Sequence, residues 1–456
     1  MYRESIASLK SWKEDKFRKP LILRGARQVG KTWLLQEFGR TSYAKMVYVN
    51  FEETPSLQNI FNPDFDTERI ITILQIHAQT TINAEDTLIV FDEIQSAGRG
   101  LTPLKYFCEN APQYHIIAAG SLLGMGLHND VSFPVGKVDF MDLRPLSFSE
   151  FLFSLNEKAL VDAIKADDWS AVSVFAGKLK EYLRYYFYVG GMPEVVEAFV
   201  QTRDWQLVRR IQNRILNSYE ADFSKHPPNG EVPRIRMGLQ SIPSQLAREN
   251  KKFIYGVIRG GARAKDYELA IQWLVDCGLL LKSHRVSKPG IPLSAYQDLS
   301  VFKLFLHDVG LLGAMAGLNL QTIIEGDNIF TEFKGAFTEQ YVMQQLRLNS
   351  ERYIGYWTNE RSTSEVDFVI QEEGQVIPVE VKAGENLRSK SFRLFCEKYK
   401  PLKAIRTSLS DYKEETWMTN VPLYAIGISS LFHPVPGLPS MPGLPPAPLT
   451  LRSGQA

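Results

Sequence analysis

Three cysteines in 456 residues, Cys108, Cys277 and Cys396, are too few and too scattered for a disulfide framework, and their number is odd. They also lack the short spacing of a zinc site. The expectation is a protein of a reducing, intracellular compartment, with the cytoplasm as the default location. Long apolar runs are missing too. The longest, around Val309 to Leu318, falls far short of the roughly 20 residues a membrane helix needs. Met1 to Lys19 mixes both signs of charge and has no apolar core of the secretory-signal kind, so no membrane partner is expected. A charge excess is likewise absent: 52 basic residues meet 51 acidic ones, for a net charge of +1. Any surface for nucleic acid must therefore be local. What remains is an ordinary globular composition, 44% hydrophobic and 23% charged, in a chain long enough for two or three domains at roughly 150 residues each.

The first third alternates strands and helices. Ile6, Leu9 and Trp12 recur at helical spacing, which predicts a short amphipathic helix over residues 4–13. Apolar runs predict strands at Pro20–Leu23, Met46–Phe51, Leu88–Phe91, His115–Ala119 and Val138–Leu143, with helices at Trp33–Phe38, Thr67–Gln79 and Leu104–Asn110. That order implies an α/β domain with a mostly parallel sheet covered on both faces, over residues 1–147. From Phe148 to about Phe223 the pattern is helical and aromatic, with Tyr182, Tyr185, Tyr186, Phe187 and Tyr188 read as core. It is broken only by the turn Gly190-Gly191-Met192-Pro193. Residues 231–295 read as short helices, Ile242–Arg248 and Ala264–Cys277, then a strand Leu279–Arg285. This is the order of a winged helix or of a compact helical connector. Residues 296–430 return to an α/β pattern. The stretch from Leu431 to Ala456 holds seven of the 24 prolines, and disorder or a loosely adhering arm is expected there.

The chemistry starts at Gly25-Ala26-Arg27-Gln28-Val29-Gly30-Lys31-Thr32, followed by Trp33. Glycines at this spacing let backbone N–H groups face a phosphate chain, Lys31 reaches the β and γ phosphates, and the Thr32 hydroxyl ligates Mg²⁺. The helix that follows directs its positive end at the same anion. The strand Leu88–Phe91 then delivers Asp92, suited to the metal, and Glu93, suited to activating water. The pair points to Mg²⁺-dependent ATP hydrolysis rather than kinase-like transfer. The gap between Thr32 and Asp92 leaves room for a further strand between the two motif strands, and Met46–Phe51 provides it. Ser121, at a strand end, is a candidate sensor of the γ phosphate. Arg144 and Lys137, flanking the fifth strand, are candidates for a transition-state cation.

A second constellation lies near the C-terminus. Asp367 sits in a strand-like run, and Glu380 and Lys382 share one face of the next strand, since strand side chains repeat every two residues. Glu372-Glu373-Gly374 is the hairpin turn between them, and Glu339 lies on an upstream helix. This set resembles the PD-(D/E)XK nuclease fold. The resemblance implies that Glu339, Asp367 and Glu380 bind Mg²⁺ while Lys382 steadies the attacking water.

Several runs resemble prokaryotic AAA-type ATPases joined to a DUF4143 domain. They are Lys19 through Thr32, Phe91-Asp92-Glu93-Ile94-Gln95, Arg144 through Phe151, Gly190-Gly191-Met192-Pro193 and Lys303 through Leu311. The resemblance spans about residues 1–430. It departs at Gly136-Lys137, where the family usually has Gly-Arg, and in the proline-rich tail. It implies an ATPase with ATP and Mg²⁺ as cofactors. DNA or RNA, a partner protein and further copies of the chain are its candidate partners. Two functions follow: an ATPase acting on nucleic acid through a nuclease-like domain, or a nucleotide-dependent signalling switch whose C-terminal domain only binds.

Overall fold

The computed structural model describes residues 1–62, 64–120, 134–223, 230–248, 251–320, 331–359, 364–384 and 389–432. Ser121 and residues 433–456 lie outside them. The N-terminal sheet has five strands: β1 (Leu21–Arg24), β2 (Lys45–Asn50), β3 (Thr87–Asp92), β4 (His115–Ala119) and β5 (Asp139–Asp142). They lie in the order β2-β3-β4-β1-β5, every pair parallel. The strand that separates the two motif strands in space is β4; β2, expected to lie between them along the chain, forms the edge. The predicted helix at 4–13 spans Ser5–Glu14 and buries Leu9 and Trp12. Helices cover both faces, as strands β3 and β4, buried along their whole length, require.

Residues 148–222 form six consecutive helices, from Phe148–Ser154 to Trp205–Asp222. Tyr186, Phe187 and Tyr188 are buried there as expected of core. Next come helices Val232–Gln240, Ile242–Leu246, Tyr255–Ile258 and Ala264–Asp276, then the hairpin β6 (Leu280–Val286) and β7 (Gln297–Leu306). The order is that expected of a winged helix, but β6 also pairs in parallel with β8 (Tyr353–Thr358). The hairpin is thereby fused into an eight-stranded sheet, and a boundary at 295/296 runs between two paired strands.

That sheet continues through β9 (Glu365–Glu372), β10 (Gln375–Val381), β11 (Ile405–Ser408), β12 (Lys413–Glu414) and β13 (Thr419–Pro422). Its order is β12-β13-β11-β10-β9-β8-β6-β7. Within it, helix Thr331–Leu346, the antiparallel meander β8-β9-β10, helix Lys390–Tyr399 and the parallel strand β11 follow in sequence.

One apolar core runs from Leu23 of the first sheet to Val421 of the second. Polar groups are satisfied across it by a row of buried glutamines on helix Thr331–Leu346. Gln340 accepts from the backbone N–H of Leu306 at 2.9 Å, Gln344 from that of Val309 at 3.0 Å and Gln345 from that of Phe148 at 3.1 Å. The turn at Gly190-Gly191 locks into the same seam. The Asp308 carboxylate accepts from Gly191 N–H at 2.6 Å and Leu311 N–H at 2.9 Å, while Gly191 C=O accepts from Leu146 N–H at 2.6 Å.

A methyl group at position 191 would meet the Leu146 carbonyl oxygen at 2.1 Å, whereas one at exposed Gly177 would meet nothing within 4 Å. Gly191→Ala is therefore expected to lower stability by about 2–3 kcal/mol. Gly177→Ala, inside helix Ala176–Val189, should raise it by about 0.5–1 kcal/mol. Chemical denaturation midpoints of the two proteins check both signs.

Candidate functional site

Strand β1 is apolar and buried up to Leu23 and is held between β4 and β5. The chain then turns sharply into the glycine loop. At Gly25 a β-carbon would stand 2.4 Å from the carbonyl oxygen of Leu143, and φ is +154°. Gln28 and Gly30 also take positive φ, 65° and 92°, which curls residues 25–30 before helix Lys31–Ser42 begins. The Lys31 ammonium folds back into this curl, donating to Gly25 C=O at 2.8 Å and Ala26 C=O at 2.9 Å. Burial pushes its pKa down to about 8, with Glu93 and Asp92 pulling the other way.

Asp92, at the end of β3, is buried. Its Oδ2 accepts from the Thr32 hydroxyl at 2.8 Å and the Tyr48 hydroxyl at 2.7 Å, and its Oδ1 from Glu93 N–H at 3.0 Å. Glu93 is held at φ +48°, a strained conformation for a residue with a side chain, and Gln95 donates to its Oε2. These groups border a cleft of about 600 Å³ whose walls include residues 27–33, Glu93, Arg3, Pro193 and Glu194. The hydroxyl of Thr32 and the carboxylate of Asp92 are hard oxygen donors side by side, which fits Mg²⁺.

The other predicted cations are placed elsewhere. Lys137 precedes β5, at the end of the sheet opposite the loop, and its ammonium lies 3.0 Å from Glu109. Its spacing put it beside a strand, but at the end where no nucleotide chemistry gathers. Arg144 follows β5 behind the loop, 3.6 Å from Asp142, and faces a different cavity. The cleft instead contains Arg3, which donates to Arg144 C=O at 2.6 Å. No spacing in the sequence singled Arg3 out; the docking of the first helix brings it there. Tyr48 was also missed, although it stands one strand away from Asp92.

Helix Trp205–Asp222 grips the loop from outside. Asp222 lies 2.6 Å from the Arg27 guanidinium, Gln28 donates to the Ser218 hydroxyl at 3.1 Å, and the Tyr219 hydroxyl donates to Arg27 C=O at 2.9 Å. Tyr219 Oη is also 3.4 Å from His307 Nε2. Burial lowers the His307 pKa to about 4, so the ring is neutral. Its Nδ1 faces Leu279 C=O at 3.2 Å and must carry the proton. Nε2 is then an acceptor, and one tyrosine proton serves two acceptors, the loop carbonyl and His307.

The C-terminal residues do converge. Asp367 Oδ2 accepts from Val381 N–H at 2.8 Å, and burial, then Glu339 and Glu380, hold its pKa well above the usual carboxylate range. Lys382 lies 2.9 Å from Glu380, and the Ser389 hydroxyl donates to the same oxygen at 2.6 Å. Two further lysines enter the cluster. Lys251 pairs with Glu339, while Lys303 pairs with Glu365 and lies 3.6 Å from Glu339. Burial alone would lower the pKa of Lys303, but Glu339, Glu365 and Asp367 hold it above the usual lysine range. Four carboxylates, Glu339, Glu365, Asp367 and Glu380, thus face three ammonium groups, and burial together with the neighbouring acids disfavours charge on Asp367. Among the described residues, no group of three histidine, cysteine or carboxylate side chains is arranged to hold a metal ion. The set therefore does not fit the divalent cation expected of it, because lysines already supply the positive charge.

Residues 17–152 match the family described as an AAA domain, and residues 334–426 the domain of unknown function DUF4143. The resemblance to AAA-type ATPases joined to a DUF4143 domain is borne out to that extent. Residues 180–322 match a further domain of unknown function, DUF8612, which the sequence reading did not foresee. No curated protein matches the chain. Among solved structures, it is similar to the Walker-type ATPase PABY2304 of Pyrococcus abyssi, with 14% identity, coverage of 69% of this chain and 95% of that one, and a TM-score of 0.40. It is also similar to the Aeropyrum pernix ORC1 protein in complex with DNA (13% identity, 70% and 93% coverage, TM-score 0.29). A third is AMPPCP-bound DnaA from Aquifex aeolicus (14% identity, 60% and 88% coverage, TM-score 0.29). The N-terminal segment is AAA-like, consistent with nucleotide binding.

The state of Lys31 gives a test with a defined sign. A phosphate chain beside Lys31 stabilises its charged form, so binding above pH 8 must take up a proton. ATP affinity is expected to hold steady up to about pH 8 and then fall, by up to about tenfold per pH unit. Lys31→Ala should bind weakly with no such fall. Calorimetric titrations between pH 7 and 9.5 check both.

Proposed function

We propose that the protein is a Mg²⁺-dependent ATPase that works as a switch: the nucleotide state of the loop alters contacts with the C-terminal half, and that half binds rather than cuts. The observation that carries this reading is the grip of helix Trp205–Asp222 on the loop. Arg27 and Gln28 are both held by it, and its Tyr219 shares a hydrogen bond with His307 beside the second sheet. A nucleotide that draws the loop amides toward its phosphates shifts the Arg27 carbonyl, and the Tyr219 hydroxyl, keeping its proton, can turn its hydrogen bond toward His307 Nε2.

In the hydrolytic step, Lys31 leaves the Gly25 and Ala26 carbonyls for the phosphate oxygens. Thr32 and Asp92 would hold Mg²⁺, which neutralises developing charge on the phosphates when bound. Glu93, at the cleft wall, orients a water and takes its proton. Tyr48 keeps the Asp92 carboxylate turned toward Thr32. Among the described residues, two guanidinium groups line the cleft: Arg3, which donates to Arg144 C=O and lies 3.4 Å from Glu150, and Arg27, which lies 2.6 Å from Asp222.

Acting on nucleic acid by cleavage is the reading set aside, because the carboxylates around Asp367 are balanced by lysines. Glu93→Gln should keep ATP affinity and lose turnover by about 10²–10⁴-fold in a phosphate-release assay; unchanged turnover would move the base elsewhere. Labelled single- and double-stranded DNA should stay intact with Mg²⁺ or Mn²⁺ and ATP. Cutting that vanishes in Asp367→Ala would replace the switch with an ATP-coupled nuclease.

A further inference from the structure

Behind the phosphate loop, on the side away from the nucleotide cleft, lies a second cavity of about 300 Å³. Gly25 and Ala26 form one wall, the segment Asp142–Pro145 another, and the turn Asp276–Gly278 with β6 a third. Among the described residues, Val29 is the one that lines both cavities. The turn is pressed on the loop: a β-carbon at Gly278 would stand 3.4 Å from the Ala26 nitrogen.

The charge in this cavity is unbalanced. Arg24, Arg144, Lys282 and Arg347 line it, against Asp142 and Asp276. Asp142 is shared by Arg24 at 2.9 Å and Arg144 at 3.6 Å. The Arg144 Nε is buried without a hydrogen-bond partner. Among the described residues, neither Lys282 nor Arg347 has a carboxylate within salt-bridge distance; Arg347 donates to Arg352 C=O at 3.4 Å and Lys282 lies over the Phe302 ring. His307, which also borders the space, is neutral and offsets nothing.

Gathering several cations in one partly buried space costs free energy unless an anion completes it. Guanidinium groups match phosphate oxygens with paired N–H donors, and an ammonium adds a point charge. The volume is at the small end of ligand pockets. We propose that this cavity binds the phosphate group of a small ligand, separately from the nucleotide cleft, and that its occupancy is read by the phosphate loop that forms its wall. The reading path is short. Gly278 abuts Ala26, and the next residue, Leu279, bonds His307, which faces Tyr219 and through it the Arg27 carbonyl.

The test keeps the cleft full. With saturating AMPPCP and Mg²⁺, calorimetric titration with pyrophosphate should show one further site. Lys282→Gln and Arg347→Gln should each weaken that site about tenfold or more, while AMPPCP alone binds both variants within about twofold of the parent. Two variants are used so that a folding defect in one does not decide the matter, and their thermal midpoints are measured alongside. Competition by AMP assigns a mononucleotide as the ligand, competition by a 5′-phosphorylated dinucleotide assigns a strand end, and competition by neither assigns free phosphate or pyrophosphate. No second isotherm with the cleft full would overturn the proposal. So would loss of AMPPCP binding in folded Lys282→Gln, which would make the cavity the far end of the nucleotide cleft.

Discussion

The ammonium of Lys31, turned onto the carbonyls of Gly25 and Ala26, ties the two ends of the glycine loop together. A loop whose N–H groups must all face an anion has little to bond to when the anion is away. Its carbonyls, pointing the other way, can be tied together by one buried cation. Burial weakens the charge on that cation, and Glu93 and Asp92 restore part of it. The loop, the lysine and the two acids of β3 therefore form one electrostatic unit, poised to exchange internal bonds for bonds to phosphate.

The rest of the molecule is arranged around that unit. Helix Trp205–Asp222 holds the convex side of the loop at three places, and the buried glutamines of helix Thr331–Leu346 pin the seam beneath it. A core that runs unbroken between the two sheets makes a hinge between rigid bodies a poor description of any change of state. A shift of hydrogen bonds within a packed seam fits better, and the Tyr219 hydroxyl has two acceptors in reach, the Arg27 carbonyl at 2.9 Å and His307 Nε2 at 3.4 Å.

How much of this could be read from the chain depended on whether the chemistry was local. The loop, its flanking strand and helix, and Asp92-Glu93 were legible because each is a short run whose residues act together. The hairpin at Glu373-Gly374 and the carboxylates on β9 and β10 were legible for the same reason, since strand alternation fixes who shares a face. Lys137 was misplaced because spacing shows that a residue flanks a strand without saying which end of the sheet it joins. Arg3, Tyr48 and Tyr219 escaped notice because only packing of distant segments brings them to the loop. The winged-helix order was readable, but whether its hairpin stands free or enters a larger sheet depends on β8, some 70 residues farther on.

Lys303 shows how packing decides what a charged residue does. It sits in a strand, in the run Lys303-Leu304-Phe305-Leu306, where a single lysine among apolar residues reads as an edge or a snorkelling side chain. In the fold it is fully buried among Glu339, Glu365 and Asp367. A buried ammonium there is tolerable only because the carboxylates are there, and the carboxylates are tolerable only because of the ammonium groups. The same mutual dependence opposes a divalent ion, which would have to displace the fully buried Lys303 before its own attraction to the acids could count. The acid-lysine set thus offsets much of its charge from within and joins β7, β9, β10 and helix Thr331–Leu346.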